Sequence, residues 1–263
     1  MALLEVKDVT VRFGGVTAVN NASFSVDAGI ITGLIGPNGA GKTTLFNVIT
    51  GLQPPTHGSV VFRSRDVTKS TPNSRAKAGM GRTFQRLEAF GSLTVRENVL
   101  VAREIFDGPA GWFRRPPHAK VDELIERVGL VDYAGQRADS VPTGVARLLE
   151  IARALAIEPT LLLLDEPSSG LDEAETEQFG ELLKSLAGEG RAILMVEHDM
   201  DLVMGVCDYI HVLEFGMVIA SDTPEQIRSN RTVQAAYLGT SEPDPEAETD
   251  AELTLELPPV RTT

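Results

Sequence analysis

Hydrophobic and polar positions change their period several times along the chain. From Leu3 to Val26, short β-branched and aromatic runs alternate with polar and glycine turns, as in Val9-Thr10-Val11-Arg12-Phe13 before Gly14-Gly15. That alternation predicts antiparallel strands. Ile30 to Ile35 is instead a near-continuous apolar run, suited to a strand buried on both faces. A glycine-rich loop follows it, then a helix carrying Leu45, Phe46, Val48 and Ile49.

Two more buried strands are predicted at Leu161 to Leu164 and Ala192 to Val196. The helix between them lines Phe179, Leu182, Leu183 and Leu186 on one stripe, which makes a βαβ unit. Residues 86–155 read as helical, interrupted by a Gly, Pro and aromatic loop from Asp107 to Pro117. Strands return at Tyr209 to Leu213 and Met217 to Ala220, turning at Glu214-Phe215-Gly216, and short helices start near Pro224 and Thr232. The expected fold is α/β, with an antiparallel β subdomain at the amino end and an all-helical insertion. The expected segments are 1–85 (β subdomain and first part of the core), 86–155 (helical insertion), 156–240 (rest of the core and final helices) and 241–263 (acidic tail).

Composition narrows the function. A net charge of −13 over 263 residues argues against a protein that grips nucleic-acid phosphates. Residues 241–263 exaggerate that acidity, since seven carboxylates there face only Arg261 and the remainder carries −7. Their Glu, Asp, Pro, Ala and Thr composition buries too little apolar area to offset chain entropy, so disorder is expected. One cysteine, Cys207, excludes an internal disulfide and a multi-thiolate metal site. Glu5, Lys7 and Asp8 break the apolar run an export signal needs. The most apolar stretch, Ala152 to Leu164, is cut by Arg153, Glu158 and Pro159 and falls short of the ~20 residues that span a bilayer.

The chemistry is carried by Gly36-Pro37-Asn38-Gly39-Ala40-Gly41-Lys42-Thr43-Thr44, which fits G-x-x-x-x-G-K-[ST] between a predicted strand and a predicted helix. Glycines let successive N–H groups face inward toward phosphate oxygens, and the helix adds its positive dipole end. Lys42 would place a cation on the β- and γ-phosphates, the Thr43 hydroxyl would complete the shell of a bridging Mg²⁺, and Thr44 would donate to a phosphate. After four leucines come Asp165 and Glu166, at a strand's carboxyl end where ligands of α/β sheets collect. Asp165 is assigned to the metal, through water, and Glu166 to the general base. His198, just after the strand ending at Val196, is placed to contact the γ-phosphate. Asp172 has two readings, a functional one and a capping box with Glu175.

These parts, in this order over nearly all of residues 3–239, resemble the nucleotide-binding subunit of ATP-binding cassette transporters, a P-loop NTPase family. The resemblance implies that Phe13 stacks on adenine and that residues 36–44, with Asn38, Gly39, Ala40, Gly41, Lys42, Thr43 and Thr44, form the Walker A loop. It makes Gln85 the Q-loop glutamine that senses Mg²⁺ and the membrane subunit, Asp165 and Glu166 the Walker B pair, Asp172 the D-loop and His198 the switch histidine. Phe13 could equally be a strand-core aromatic, and Gln85 a solvated loop residue. Gly81-Arg82-Thr83-Phe84-Gln85, continuing to Leu93-Thr94-Val95-Arg96-Glu97-Asn98-Val99, is similar to the branch that energises branched-chain amino-acid uptake, as is Pro224 to Gly239.

One segment departs from the family. Where Leu-Ser-Gly-Gly-Gln is usual, the aligned residues are Val141-Pro142-Thr143-Gly144-Val145. Proline has neither hydroxyl nor N–H to offer a phosphate, so Thr143 and the Gly144 backbone become the candidates for ATP held by a partner subunit. Thr143 could also simply cap the following helix.

The resemblance implies an ATPase, with ATP and Mg²⁺, peripheral on the cytoplasmic face of the membrane. Its partners would be permease subunits, a second ATP-binding subunit and an extracytoplasmic solute-binding protein, with no nucleic acid. Rival readings are a soluble non-transport ATPase of the same superfamily and, from the altered signature, a catalytically asymmetric regulatory partner. Truncation after Thr240 is expected to leave the melting temperature unchanged, and a large fall would show that the acidic tail packs on the body.

Overall fold

The structure, a computed structural model, describes residues 2–83, 88–112 and 118–238. Gln85, residues 113–117 and the acidic stretch 241–263 lie outside the described residues. In chain order the elements are β1 (Ala2–Phe13), β2 (Val16–Asp27), β3 (Ile31–Ile35), α1 (Lys42–Thr50), β4 (His57–Phe62), β5 (Arg65–Asp66), α2 (Pro72–Lys77) and β6 (Met80–Arg82). Then come α3 (Val95–Trp112), α4 (His118–Arg127), α5 (Thr143–Leu155), β7 (Leu161–Asp165), α6 (Glu173–Gly188), β8 (Ala192–Val196), α7 (Met200–Val206), β9 (Tyr209–Glu214), β10 (Met217–Asp222), α8 (Pro224–Ser229) and α9 (Arg231–Leu238).

Two sheets are formed. A four-stranded one runs β2-β1-β4-β5 and is antiparallel throughout. A six-stranded one runs β10-β9-β3-β8-β7-β6; its pairings are parallel except at the β9–β10 hairpin. The strand carrying Asp165 and the strand preceding His198 are therefore direct neighbours, and β8 lies between β7 and β3.

Strand alternation divides the core. In β7, Leu162 and Leu164 join a cluster with Val145, Leu149, Ile151, Phe179 and Leu183 from α5 and α6. Leu161 and Leu163 point the other way, to Leu45, Phe46, Val48 and Ile49 of α1 and to Val6, Val60 and Phe62 of the antiparallel sheet. All four leucines are fully buried, each contributing roughly 1.5–3 kcal/mol of transfer free energy. Because both faces of β7 are covered, its sequence shows an apolar run rather than alternation. Helix α1 is thereby held between the two sheets.

The far end of α1 is tied by one buried cation. Arg75, 2% exposed, donates to the carbonyls of Val48 (2.6 Å) and Ile49 (2.5 Å) in the last turn of α1, and to Thr68 (2.9 Å) and Ser70 (3.2 Å). Burial lowers its pKa, with Asp66 opposing that shift. A guanidinium suits this place because it offers several donors at once to carbonyls of the helix end and of the following segment, Val48 O also accepting from the Gly51 N–H.

Two expectations need correction. Asp107 to Pro117 was expected to be a loop; residues 113–117 lie outside the described residues, and a second short helical stretch runs to Trp112 after a non-helical break at Gly108 (φ 63°, ψ −166°). The Gly-Pro pair breaks the helix there, and a second short helix follows it. Thr143 does not cap α5; it is the first helical residue, and the capping position is Pro142, whose side chain makes no capping bond. Among the described residues, no helix is long and apolar enough to cross a membrane.

Arg75→Met should remove the guanidinium bonds to the Val48, Ile49, Thr68 and Ser70 carbonyls, leaving Val48 only its Gly51 N–H, and lower the unfolding free energy by about 3 kcal/mol. Urea denaturation reads this, and an unchanged midpoint and slope would contradict the role given to Arg75.

Candidate nucleotide-binding site

The carboxyl ends of β3, β7 and β8 open on one edge of the sheet. Residues 38–44, Glu166 and His198, with Ala18 and Val196, line a cavity of about 310 Å³ there. The loop after β3 passes so close to its neighbours that only glycine fits at two points. A Cβ on Gly36 (φ 147°) would stand 2.0 Å from the Leu213 carbonyl oxygen, and one on Gly41 (φ 105°) 2.5 Å from that of Ala18. Gly41 is the capping residue of α1; no side chain caps that end and no acidic residue occupies its first turn. The helix amides and dipole are left available to an anion.

Lys42 is buried, and its ammonium donates to the carbonyls of Gly36 (2.6 Å) and Pro37 (3.0 Å). Burial lowers its pKa, while Glu166 and Asp165 oppose that shift. Asn38, Gly39 and Thr43 are exposed on the rim, and Thr44 is half-buried. This set suits a polyphosphate: an uncapped helix start, one desolvated cation and two hydroxyls.

Asp165 and Glu166 differ sharply. Asp165 is 3% exposed and accepts from the Arg82 guanidinium at 3.1 Å; its pKa is raised by burial against the pull of Arg82. Arg82 also donates to Asn47 Oδ1 (2.8 Å) and Thr50 Oγ1 (3.0 Å) on α1 and lies over the Phe46 ring. Glu166 stands in the left-handed region (φ 49°), its N–H donating to Val196 O at 2.9 Å. Its Oε1 lies 3.2 Å from His198 Nε2. A strained backbone at this residue turns the carboxylate into the cavity beside the imidazole.

The other sequence candidates are placed as follows. Phe13 is half-exposed where β1 meets β2, paired with Val16, and is not among the described residues lining the cavity. Asp172 caps α6 in a reciprocal box: Glu175 N–H donates to Asp172 Oδ1 (2.8 Å) and Asp172 N–H to Glu175 Oε2 (2.9 Å). Thr143 is exposed and Gly144 buried; neither is among the described residues lining this chain's cavity. Arg147 of α5 donates to Ser169 O at 3.3 Å, joining the signature-like helix to the loop after Glu166. Gln85 lies outside the described residues. No role was read from the sequence for Arg82, inside the Gly81–Gln85 run, or for Glu197, which directly precedes His198.

Comparisons with known proteins agree with this geometry. A family model described as ABC transporter matches residues 19–169, and one described as Branched-chain amino acid ATP-binding cassette transporter matches residues 217–243. The High-affinity branched-chain amino acid transport ATP-binding protein LivG of Salmonella typhimurium is 43% identical, over 90% of this chain and 98% of that protein. BraF of Pseudomonas aeruginosa, of the same description, is 39% identical over the same shares. A crystal structure of the ADP conformation of MJ1267, an ATP-binding cassette of an ABC transporter, has a TM-score of 0.81 at 30% identity, covering 91% of this chain and 99% of that one. The chain thus belongs to the ABC transporter family, as one of its nucleotide-binding ATPase subunits.

Proposed function

We propose that this chain drives a membrane importer for branched-chain amino acids or a related small polar solute, from the cytoplasmic face of the membrane. The observation that carries the reading is the convergence of a glycine cradle, a desolvated Lys42 and the Glu166–His198 pair on one cavity. The transported solute follows from the relatives LivG and BraF and from the match at residues 217–243.

In this reading the inward amides and Lys42 hold the β- and γ-phosphates of ATP. Glu166 takes the proton of the attacking water as its oxygen bonds to the γ-phosphorus and the bond to the β-phosphate oxygen breaks. His198 holds Glu166 and the γ-phosphate in line. Mg²⁺ would be held by the Thr43 hydroxyl and Asp165, with Gln85 as the family resemblance implies, and would neutralise charge on the phosphates. Arg82, bound to Asp165, keeps that carboxylate from turning away.

Two such subunits, head to tail, would close over two ATP molecules, and contacts made only in the closed state are what shift the conformational equilibrium. Thr143 and the Gly144 N–H, at the uncapped start of α5, are the groups offered to the partner's γ-phosphate. With Pro142 and Val145 in the signature, one of the two sites would be weaker, which favours an asymmetric pair. Permease subunits would dock where Leu52, Ala76, Met80, Ala102, Ala154 and Ile157 line a separate cavity of about 290 Å³. Exposed Leu52 on its lining, and exposed Phe90 beside the lining residue Arg153, support an interface there. An extracytoplasmic solute-binding protein would deliver the solute.

Glu166→Gln is expected to keep ATP binding and lower turnover by roughly 10² or more, the scale of losing a general base; unchanged steady-state hydrolysis would remove Glu166 from that role. Lys42→Ala should lose most nucleotide affinity, because a charge-assisted phosphate contact disappears. Superimposable ATP titrations of the two proteins would count against it.

A further inference from the structure

Beside His198 lies a carboxylate that the mechanism above does not use. Glu197 is 4% exposed, and its side chain accepts four hydrogen bonds without an ion-pair partner among the described residues. Oε1 takes the Ser168 N–H (2.8 Å) and the Ser168 hydroxyl (2.6 Å). Oε2 takes the N–H groups of His198 (2.8 Å) and Asp199 (3.3 Å). One oxygen therefore binds the loop that follows Glu166, and the other binds the loop that begins at His198.

We infer that Glu197 is the positioning residue for hydrolysis: it clamps the two loops so that Glu166 and His198 meet across the γ-phosphate position. The strained φ of 49° at Glu166 gives the clamp its purpose. Such a conformation persists only where its surroundings over-determine it. Here Val196 O holds the Glu166 N–H on one side, and Glu197 holds Ser168 two residues later. A carboxylate is required because three of the four donors are backbone N–H groups, which cannot reverse their role. Glutamine would offer one accepting oxygen and turn its NH₂ toward at least one of those amides. Aspartate is one methylene shorter and cannot span the two loops in the same way.

This inference rests on the reading of Glu166 as the base, and its test keeps the two apart. ATP titrations of hydrolysis by the full chain would compare the wild type with Glu197→Gln, Ser168→Ala, Glu166→Gln and the Glu166→Gln/Glu197→Gln double variant. Glu197→Gln should lower kcat about tenfold to a hundredfold, the scale of a small misplacement of reacting groups, with KM for ATP within about twofold. Ser168→Ala removes one arm and should lower kcat by only about twofold to fivefold, and it keeps the test usable if Glu197→Gln folds poorly. In the Glu166→Gln background the Glu197 change should add less than about twofold, because its route of action is already gone. A wild-type kcat in both Glu197→Gln and Ser168→Ala, parallel losses of kcat and ATP affinity, or the same loss factor with and without Glu166 would each overturn the clamp. Full activity in Glu166→Gln alone would overturn the base assignment instead, and the kcat–KM split of Glu197→Gln would then decide the clamp by itself.

Discussion

The loop from Gly36 to Gly41 can follow its path only because no side chain stands at Gly36 or Gly41. Leu213 O on one side and Ala18 O on the other approach closer than any Cβ allows. That tight seat sets the entry of α1, and α1 cannot relax away from it, being covered by both sheets and bound at its far end by Arg75. The cradle is thus preorganised by packing that lies outside it. Lys42 contributes the charge, held on the loop's own carbonyls in a desolvated setting where a phosphate oxygen would be a stronger partner.

Electrostatics then link the three strand ends. Burial lowers the Lys42 pKa against the pull of the two carboxylates, and burial raises that of Asp165 against the pull of Arg82 on β6. Arg82 also reaches Asn47 and Thr50 on α1, so β6 is bonded to both α1 and Asp165. Three segments distant in sequence meet through a single guanidinium.

Much of this was legible in the sequence, for identifiable reasons. The runs at Ile31–Ile35, Leu161–Leu164 and Ala192–Val196 are apolar at every position or nearly so because both sheet faces are covered, and that pattern reads directly. The phosphate loop has strict spacing and a strand–loop–helix setting. Arg82 and Glu197 were not legible as functional because their partners lie 83 and 29 residues away, at Asp165 and Ser168, and only the sheet order brings them together. The helical break at Gly108 was misread as a loop because Gly and Pro mark both kinks and chain turns. The capping reading of Thr143 failed because residue type alone cannot tell the last non-helical position from the first helical one.

The most direct test is a structure of the full chain with Mg²⁺ and a non-hydrolysable ATP analogue. The account predicts the triphosphate within residues 36–44, the Lys42 ammonium moved from the Gly36 and Pro37 carbonyls onto β- and γ-phosphate oxygens, and the Glu166 carboxylate facing the γ-phosphorus. A nucleotide bound elsewhere, or a Lys42 still on its own loop with the analogue in place, would contradict it.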